Sequence, residues 1–432
     1  MGRRSLVGAG VLGGLAALLI FPSTAVASPN GQPGAGGGSQ SLPSAWSAAC
    51  GGSADGASAT SASCTAIQLD RPSTWQGHHL FPAPSLVGGG ASAATTPAGY
   101  DPAELQQAYN LTAAIASGGT GRAVAIVDAF DDPNALSNLS TYRAEWGLEP
   151  ICTGTVTTGC VIVKKLDQYG LAAPLPPPNA GWSEEISVDL DMVSAVCPTC
   201  NILLVEANSS SLANLARAED TAAAFRPKAI GNSYGGLESA FETSYDIAYT
   251  HPGIAITAST GDSGYGVEYP AASPDVTAVG GTTLSPASGS SRGWSETAWS
   301  GAGSGCSRVE AQPTWQTAVA NIKTECAKRA VADVAAVADP NTGVAVYDTY
   351  GLGGWTVFGG TSVSAQVISG IYALAGGPGS STAASRLYAS PSSDFFDVTS
   401  GSNGTCGTDL CNAGVGWDGP TGLGTPDGIG AL

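Results

Sequence analysis

The chain is predicted to be an α/β protein, a doubly wound parallel sheet with helices on both faces. Two observations predict this. Short continuous apolar runs of buried-strand type recur between residues 123 and 258, and each is followed by a segment with helical spacing. Uninterrupted apolar strands alternating with helices belong to a parallel sheet covered on both sides. A third observation agrees: the residues with chemical potential fall at strand ends or helix starts, where ligands of such sheets sit.

The elements follow in order. Regular structure is expected to begin near Asp101, where residues 102–109 look like a helix start. Strands are expected at 123–127, 160–164, 202–205, 229–233 and 254–258. Helices are expected at 136–146, 182–195, 212–224 and 239–249. Further on, the apolar residues 355–358 run into Gly359-Gly360-Thr361-Ser362. Val367, Ile368, Ile371, Tyr372 and Leu374 then take helical spacing, and Gly376-Gly377-Pro378 stops the helix.

The N-terminal region has another character. Met1-Gly2-Arg3-Arg4, an apolar stretch over 6–21 and Ala25-Val26-Ala27 make a secretory signal peptide at 1–27. Residues 28–95 are rich in Gly, Ser, Ala and Pro and read as a linker or short pro-segment. Residues 96–432 form the folded domain. No later stretch is long and apolar enough to span a bilayer, so an exported, extracellular protein with no membrane contact after signal cleavage is expected. A net charge of −18 argues against a nucleic-acid partner. Ten cysteines in an exported chain read as disulfides. Nearest-neighbour pairing would join Cys50–Cys64, Cys152–Cys160, Cys197–Cys200, Cys306–Cys326 and Cys406–Cys411, although spacing alone leaves the connectivity open.

Four segments can carry chemistry. Ser362 lies where a strand turns through glycines into a helix, as a nucleophile or simply as a helix cap. Serine needs a base, and the chain holds only three histidines, His78, His79 and His251. Glu185 and Asp189 lie one helical turn apart on one face, either as a solvated face or as a proton-sharing pair. Asp262 follows an apolar strand in a Gly-rich turn, as an Asx turn or as an acid aimed into a cleft. Asp397 and Asp418, with the carbonyls of Gly-rich loops, suit a hard cation such as Ca²⁺.

Together these segments resemble the sedolisin family of serine-carboxyl peptidases, which have a subtilisin-like fold with glutamate in place of the histidine base. The resemblance rests on residues 359–364, on Glu185 through Asp189, on residues 259–264, and on Asp397-Val398 with Gly414, Gly416 and Asp418. They occur in the family's order over roughly residues 100–430. The resemblance implies that Ser362 is the nucleophile, Glu185 its base, Asp189 the partner of Glu185 and Asp262 a protonated oxyanion donor. It implies one structural Ca²⁺ held by Asp397, Val398, Gly414, Gly416 and Asp418. The function it implies is that of a secreted monomeric endopeptidase acting on proteins or peptides in acid. A carboxylate base and a protonated acid coexist only there.

Departures are also visible. Family members usually carry a long folded prodomain, and residues 28–95 are short and Gly-rich. Gln366 stands where a proline is common and Gly359 where a serine is common, and neither is expected to touch a catalytic group. Trp294, Trp299 and residues 301–305 are candidate subsite walls, and residues 232–235 a candidate backbone-binding strand. A true subtilisin-type triad would use Asp128, but no histidine follows on a helix before His251. The remaining alternative is a catalytically diverged exported binding protein on a peptidase scaffold.

Overall fold

The computed structural model describes residues 43–50, 58–80, 96–153, 158–379 and 381–432. The expected signal peptide lies outside them. Three short strands come first, β1 (Trp46–Ala48), β2 (Ser63–Cys64) and β3 (Ile67–Leu69). The segment expected to be a linker therefore contains paired structure. Helix α1 (Pro102–Ala108) starts as expected: the Asp101 side chain accepts from the Glu104 N–H, and the Glu104 carboxylate accepts from the Asp101 N–H. This reciprocal box satisfies two N-terminal donors that would otherwise be orphaned. A short α2 (Thr112–Ser117) follows.

The alternation then proceeds through β4 (Ala123–Ala129), α3 (Ala135–Glu145), β5 (Val163–Asp167), α4 (Ala180–Val196), β6 (Asn201–Ala207), α5 (Leu212–Ala224), β7 (Ala229–Asn232) and β8 (Tyr234–Leu237). Two expectations are corrected here. The second strand begins three residues later than residue 160, because Cys160 is tied to Cys152 and Val161 bridges Ile151 before the strand starts. Residues 239–249 form two 3₁₀ turns, Glu242–Ser244 and Asp246–Tyr249, in place of one helix. The chain continues through β9 (Ala255–Ser259), β10 (Glu268–Tyr269), β11 (Thr277–Pro286), β12 (Trp294–Ala298), β13 (Gly305–Cys306), α6 (Ala320–Glu325), β14 (Ala330–Val331), β15 (Val334–Val337), β16 (Val344–Asp348), β17 (Gly354–Gly359) and α7 (Thr361–Ala375).

The central sheet runs β12-β11-β9-β7-β4-β6-β5, with β15 also paired to β11. Every pair is parallel except β11 with β12. Val124, Ile126, Ile202 and Leu204 point into one buried cluster, and Ala125, Val127, Leu203 and Val205 into another. That two-sided burial is why these strands are apolar without alternation. Helices α4 and α7 pack along each other on the first side. All five expected disulfides are formed. No helix among the described residues is long and apolar enough to cross a membrane.

One ion pair anchors the sheet from within. Arg329 donates to both carboxylate oxygens of Asp333, and both side chains are fully buried. Asp333 also accepts from the Ala278 N–H at 2.8 Å and the Tyr388 hydroxyl at 2.9 Å, joining β11 to the loop before β15. Asp333→Ala leaves a guanidinium buried without its counter-charge. The expected cost is about 3–5 kcal/mol of unfolding free energy, measured by denaturant titration; a loss below about 1 kcal/mol would contradict this account of the pair.

Candidate active site

Three of the four sequence segments converge. β17 leads into Gly360, whose φ of +93° opens α7. A Cβ at Gly360 would lie 2.0 Å from the Thr65 carbonyl oxygen and 2.7 Å from Asp262 Oδ2, so only glycine fits there. Ser362 is therefore the second residue of α7, with its N–H free of intrahelical partners and facing the same point. Asp262 leaves the turn after β9. Its Oδ1 accepts from the Thr361 N–H at 2.7 Å and the Thr361 hydroxyl at 2.8 Å. Its Oδ2 is buried without a partner. Burial holds the Asp262 carboxyl up at about 8, against the two Thr361 bonds that favour its ionised form.

Glu185 and Asp189 lie on α4, which begins at an Asn179 cap and is buried along almost its whole length. Both carboxyls are fully buried, so the solvated-face alternative is removed. Burial pushes both well above the usual carboxylate range, and the charge of Asp128 adds to it. Asp128, near the end of β4, has both oxygens buried without partners and is itself raised to about 8 by burial. Three carboxyls thus share one dry region, and their protons are shared among them. Asp189 Oδ1 accepts from the Ser233 hydroxyl at 2.8 Å. Gln366 Nε2 donates to Asp189 Oδ2 at 2.6 Å, so the expectation that Gln366 touches no catalytic-type group is corrected.

The cleft is filled by the chain itself. β2 pairs antiparallel with β8, and β3 pairs antiparallel with β17, so residues 63–69 run as one extended strand across the site. At its centre the Thr65 N–H donates to the Ser233 carbonyl at 3.2 Å, and the Ser362 N–H donates to the Thr65 carbonyl at 3.4 Å. The next N–H, of Ala66, donates to Glu185 Oε2 at 2.8 Å. The Thr65 hydroxyl hydrogen-bonds Ser362 Oγ at 2.8 Å and donates to Ser259 Oγ at 2.7 Å. With Ser362 Oγ so engaged, Glu185 Oε1 is buried without a hydrogen-bond partner, although Ser362 is near enough to favour the ionised form of Glu185. The expected backbone-binding role of residues 232–235 is consistent with the pairing of β8.

Other expectations are sorted by position. Trp299 packs in a small cluster with Ile67 of the strand, whereas Trp294 is buried edge-on to Tyr100 in the main core, away from it. The histidines stand apart: His79 pairs with Glu104, and His251 lies 3.8 Å from Asp220. In the C-terminal loops, Asp397 accepts from the Gly416 N–H at 3.0 Å, and Asp418 accepts from the Gly414 N–H at 3.1 Å. Val398 is buried beside them. Asp418 also takes two bonds from Thr421 and is raised to about 7, chiefly by burial, with the Asp397 charge contributing. Asp397 and Asp418 repel one another, and carboxylate oxygens are the hard ligand type that Ca²⁺ takes.

No family model matches the chain. Kumamolisin of Bacillus sp. (strain MN-32) is 30% identical over 375 residues, 78% of this chain and 64% of the relative. Sedolisin of Pseudomonas sp. (strain 101) is 27% identical over 78% of this chain and 61% of its own length. Tripeptidyl-peptidase 1 of Canis lupus familiaris is 26% identical over 76% of this chain and 63% of its own. The chain thus spans a little under two thirds of each of these three relatives. Among solved structures, Pseudomonas sedolisin, a serine-carboxyl proteinase complexed with two molecules of pseudo-iodotyrostatin, superposes with a TM-score of 0.63 at 26% identity. That match covers 77% of this chain and 96% of the other.

Proposed function

From a chain that is homologous to the sedolisin family over most of its length and shares its subtilisin-like fold, we propose a secreted serine-carboxyl endopeptidase. One observation carries the reading: the chain's own Thr65–Ala66 peptide lies on Ser362, Glu185 and Asp262 as a substrate would. The carbonyl meets the Ser362 N–H beside the unpartnered Asp262 Oδ2, and the following N–H meets Glu185. Chain is paired on both sides of this peptide, which favours internal cleavage over removal of short N-terminal peptides.

The steps follow from these positions. Ser362 Oγ attacks the carbonyl carbon while Glu185 takes the hydroxyl proton, with Asp189 sharing the charge change. The oxyanion is held by the Ser362 N–H and by the protonated Asp262 carboxyl. Glu185 then returns the proton to the leaving nitrogen, the C–N bond breaks, and an ester on Ser362 remains. Water, deprotonated by Glu185, cleaves that ester and frees the acid product. Asp262 must keep its proton to donate, so the activity declines as Asp262 ionises; with the cleft filled that loss falls at about 8, and water admitted to an open cleft moves it toward the ordinary carboxylate range and so into acid. Residues 1–27 act as the signal peptide, residues 28–95 as a pro-segment first cut within itself at Thr65–Ala66, and residues 96–432 as the peptidase domain.

The full chain incubated in acid is expected to yield a new N-terminus at Ala66, read by mass spectrometry. The same preparation should cleave a denatured protein substrate. Ser362→Ala should abolish both while leaving the melting temperature nearly unchanged, and Glu185→Ala should abolish turnover also. Equal cleavage by wild type and Ser362→Ala would refute the reading. We also propose that Asp397, Val398, Gly414, Gly416 and Asp418 hold one Ca²⁺ that ties the C-terminal loops. Calcium at a hundredfold excess over its dissociation constant should add about 2.7 kcal/mol of stability, read as a rise in melting temperature that a chelator reverses; an unchanged melting temperature would exclude the site.

A further inference from the structure

We propose that Gln366 is a positioning residue of this site: its amide donor holds the Asp189 carboxyl in place beside Glu185 and favours the singly charged Glu185–Asp189 pair over the neutral one. The inference rests on the peptidase reading above and deepens it. Gln366 sits on α7, one helical turn beyond Ser362, and is fully buried. Its Nε2 donates to Asp189 Oδ2 at 2.6 Å and to Ser233 Oγ at 3.0 Å. Ser233 Oγ in turn donates to Asp189 Oδ1 at 2.8 Å. Each oxygen of Asp189 therefore has a neutral donor, in a chain of bonds that starts on the nucleophile's own helix. A long polar side chain reaches this far because Gly231 lies under it: a Cβ there would be 2.2 Å from Gln366 Oε1 and 2.6 Å from its amide carbon. Gln366 Oε1 is buried and unpartnered, so the side chain tolerates an unsatisfied acceptor while its donor is used.

The groups facing the pair come from every packed element. Asp128 approaches from β4, Glu185 shares α4 with Asp189, and Ser233 stands between β7 and β8. Ser362 and Gln366 come from α7, and Asp262 acts on Glu185 from the turn after β9. The neighbouring carboxyls disfavour the first ionisation of the pair. The Ser233 and Gln366 donors favour it, since a hydrogen bond to the charged form lowers the pKa. Losing the Gln366 donor must therefore raise the pH at which the pair first ionises. The singly charged pair, which is the form that can take up the Ser362 proton, would then disappear at a higher pH during acidification, and the acid limb of the rate profile would move up.

The test compares Gln366→Met, which keeps the length and removes the donor, with wild type, using an internally quenched peptide. The acid limb of kcat/KM is expected to move up by about one pH unit, a tenfold lower rate on that limb. The alkaline limb and KM should stay in place. Gln366→Leu, which also lacks a donor, should move the limb in the same direction. A uniform fall in rate with an unmoved acid limb overturns the inference while leaving the peptidase reading intact.

If wild type shows no Ser362-dependent cleavage, that reading fails, and Gln366 is judged on thermal stability against pH. The folded-state pKa of Asp189 is raised, so stability present in acid is lost as pH rises. Gln366→Met raises it further, and the variant's melting temperature should fall increasingly below that of wild type with rising pH. A gap that is the same at every pH overturns the inference.

Discussion

Glu185, Asp189, Asp128 and Asp262 are withdrawn from water beside one serine, and the rest of the site depends on that withdrawal. None of the four has an ion-pair partner among the described residues. In water, Glu185 and Asp189 one turn apart would both ionise and repel weakly. Buried, they cannot all carry charge, because desolvation and mutual repulsion act in the same direction. Protons must be retained and shared, and shared protons are what a site without histidine needs. In the proposed reaction the same physics separates two roles. Asp262, away from the pair and braced by Thr361, keeps its own proton and can donate, whereas the pair on α4 can accept.

The fold serves this constraint by placing short, rigid elements around one point. Strands β4, β7, β9 and β17 deliver Asp128, Ser233, Asp262 and Ser362 from their C-terminal ends or the turns that follow. Packing of α4 against α7 sets Glu185 and Asp189 beside Ser362. Gly360 brings the start of α7, the Asp262 carboxyl and the chain's own Thr65 carbonyl within a space that any side chain would close. The strand across the cleft uses the unpaired edges of β8 and β17, so backbone hydrogen bonds provide the binding and register the peptide. Cys64, one residue before the central peptide, is bonded to Cys50, which restrains the approach of that strand.

Much of the scaffold was legible in the sequence, because buried parallel strands and amphipathic helices leave local marks. The helix at 212–224 and the strand around Ile126 were placed by apolar runs alone, and the stop at Gly376 by turn chemistry. Nearest-neighbour pairing of the cysteines matches the five bonds formed, although spacing alone does not exclude other pairings. What local pattern cannot show is burial by distant chain. Glu185 and Asp189 are polar and spaced like a surface face; only the docking of α7 and residues 63–69 makes them interior. β2 and β3 are two and three residues long and exist through pairing with β8 and β17, so composition made their region a linker. Nothing local marks Gln366, because its contact with Asp189 spans 177 positions. The 3₁₀ turns at 242–249 and the late start of β5 mark places where tertiary ties overrode local propensity.

The claim most exposed is that Asp262 works as a protonated donor. It is tested by the pH dependence of kcat in wild type and in Asp262→Asn. The asparagine oxygen can accept the two Thr361 bonds while its amide donates where Oδ2 now points, and that amide does not ionise. Wild-type kcat should fall with rising pH as the carboxyl, held at about 8 when the cleft is filled, loses its proton. Asp262→Asn should retain its reduced rate through that range. An alkaline limb that stays at the same pH in the variant would contradict the account.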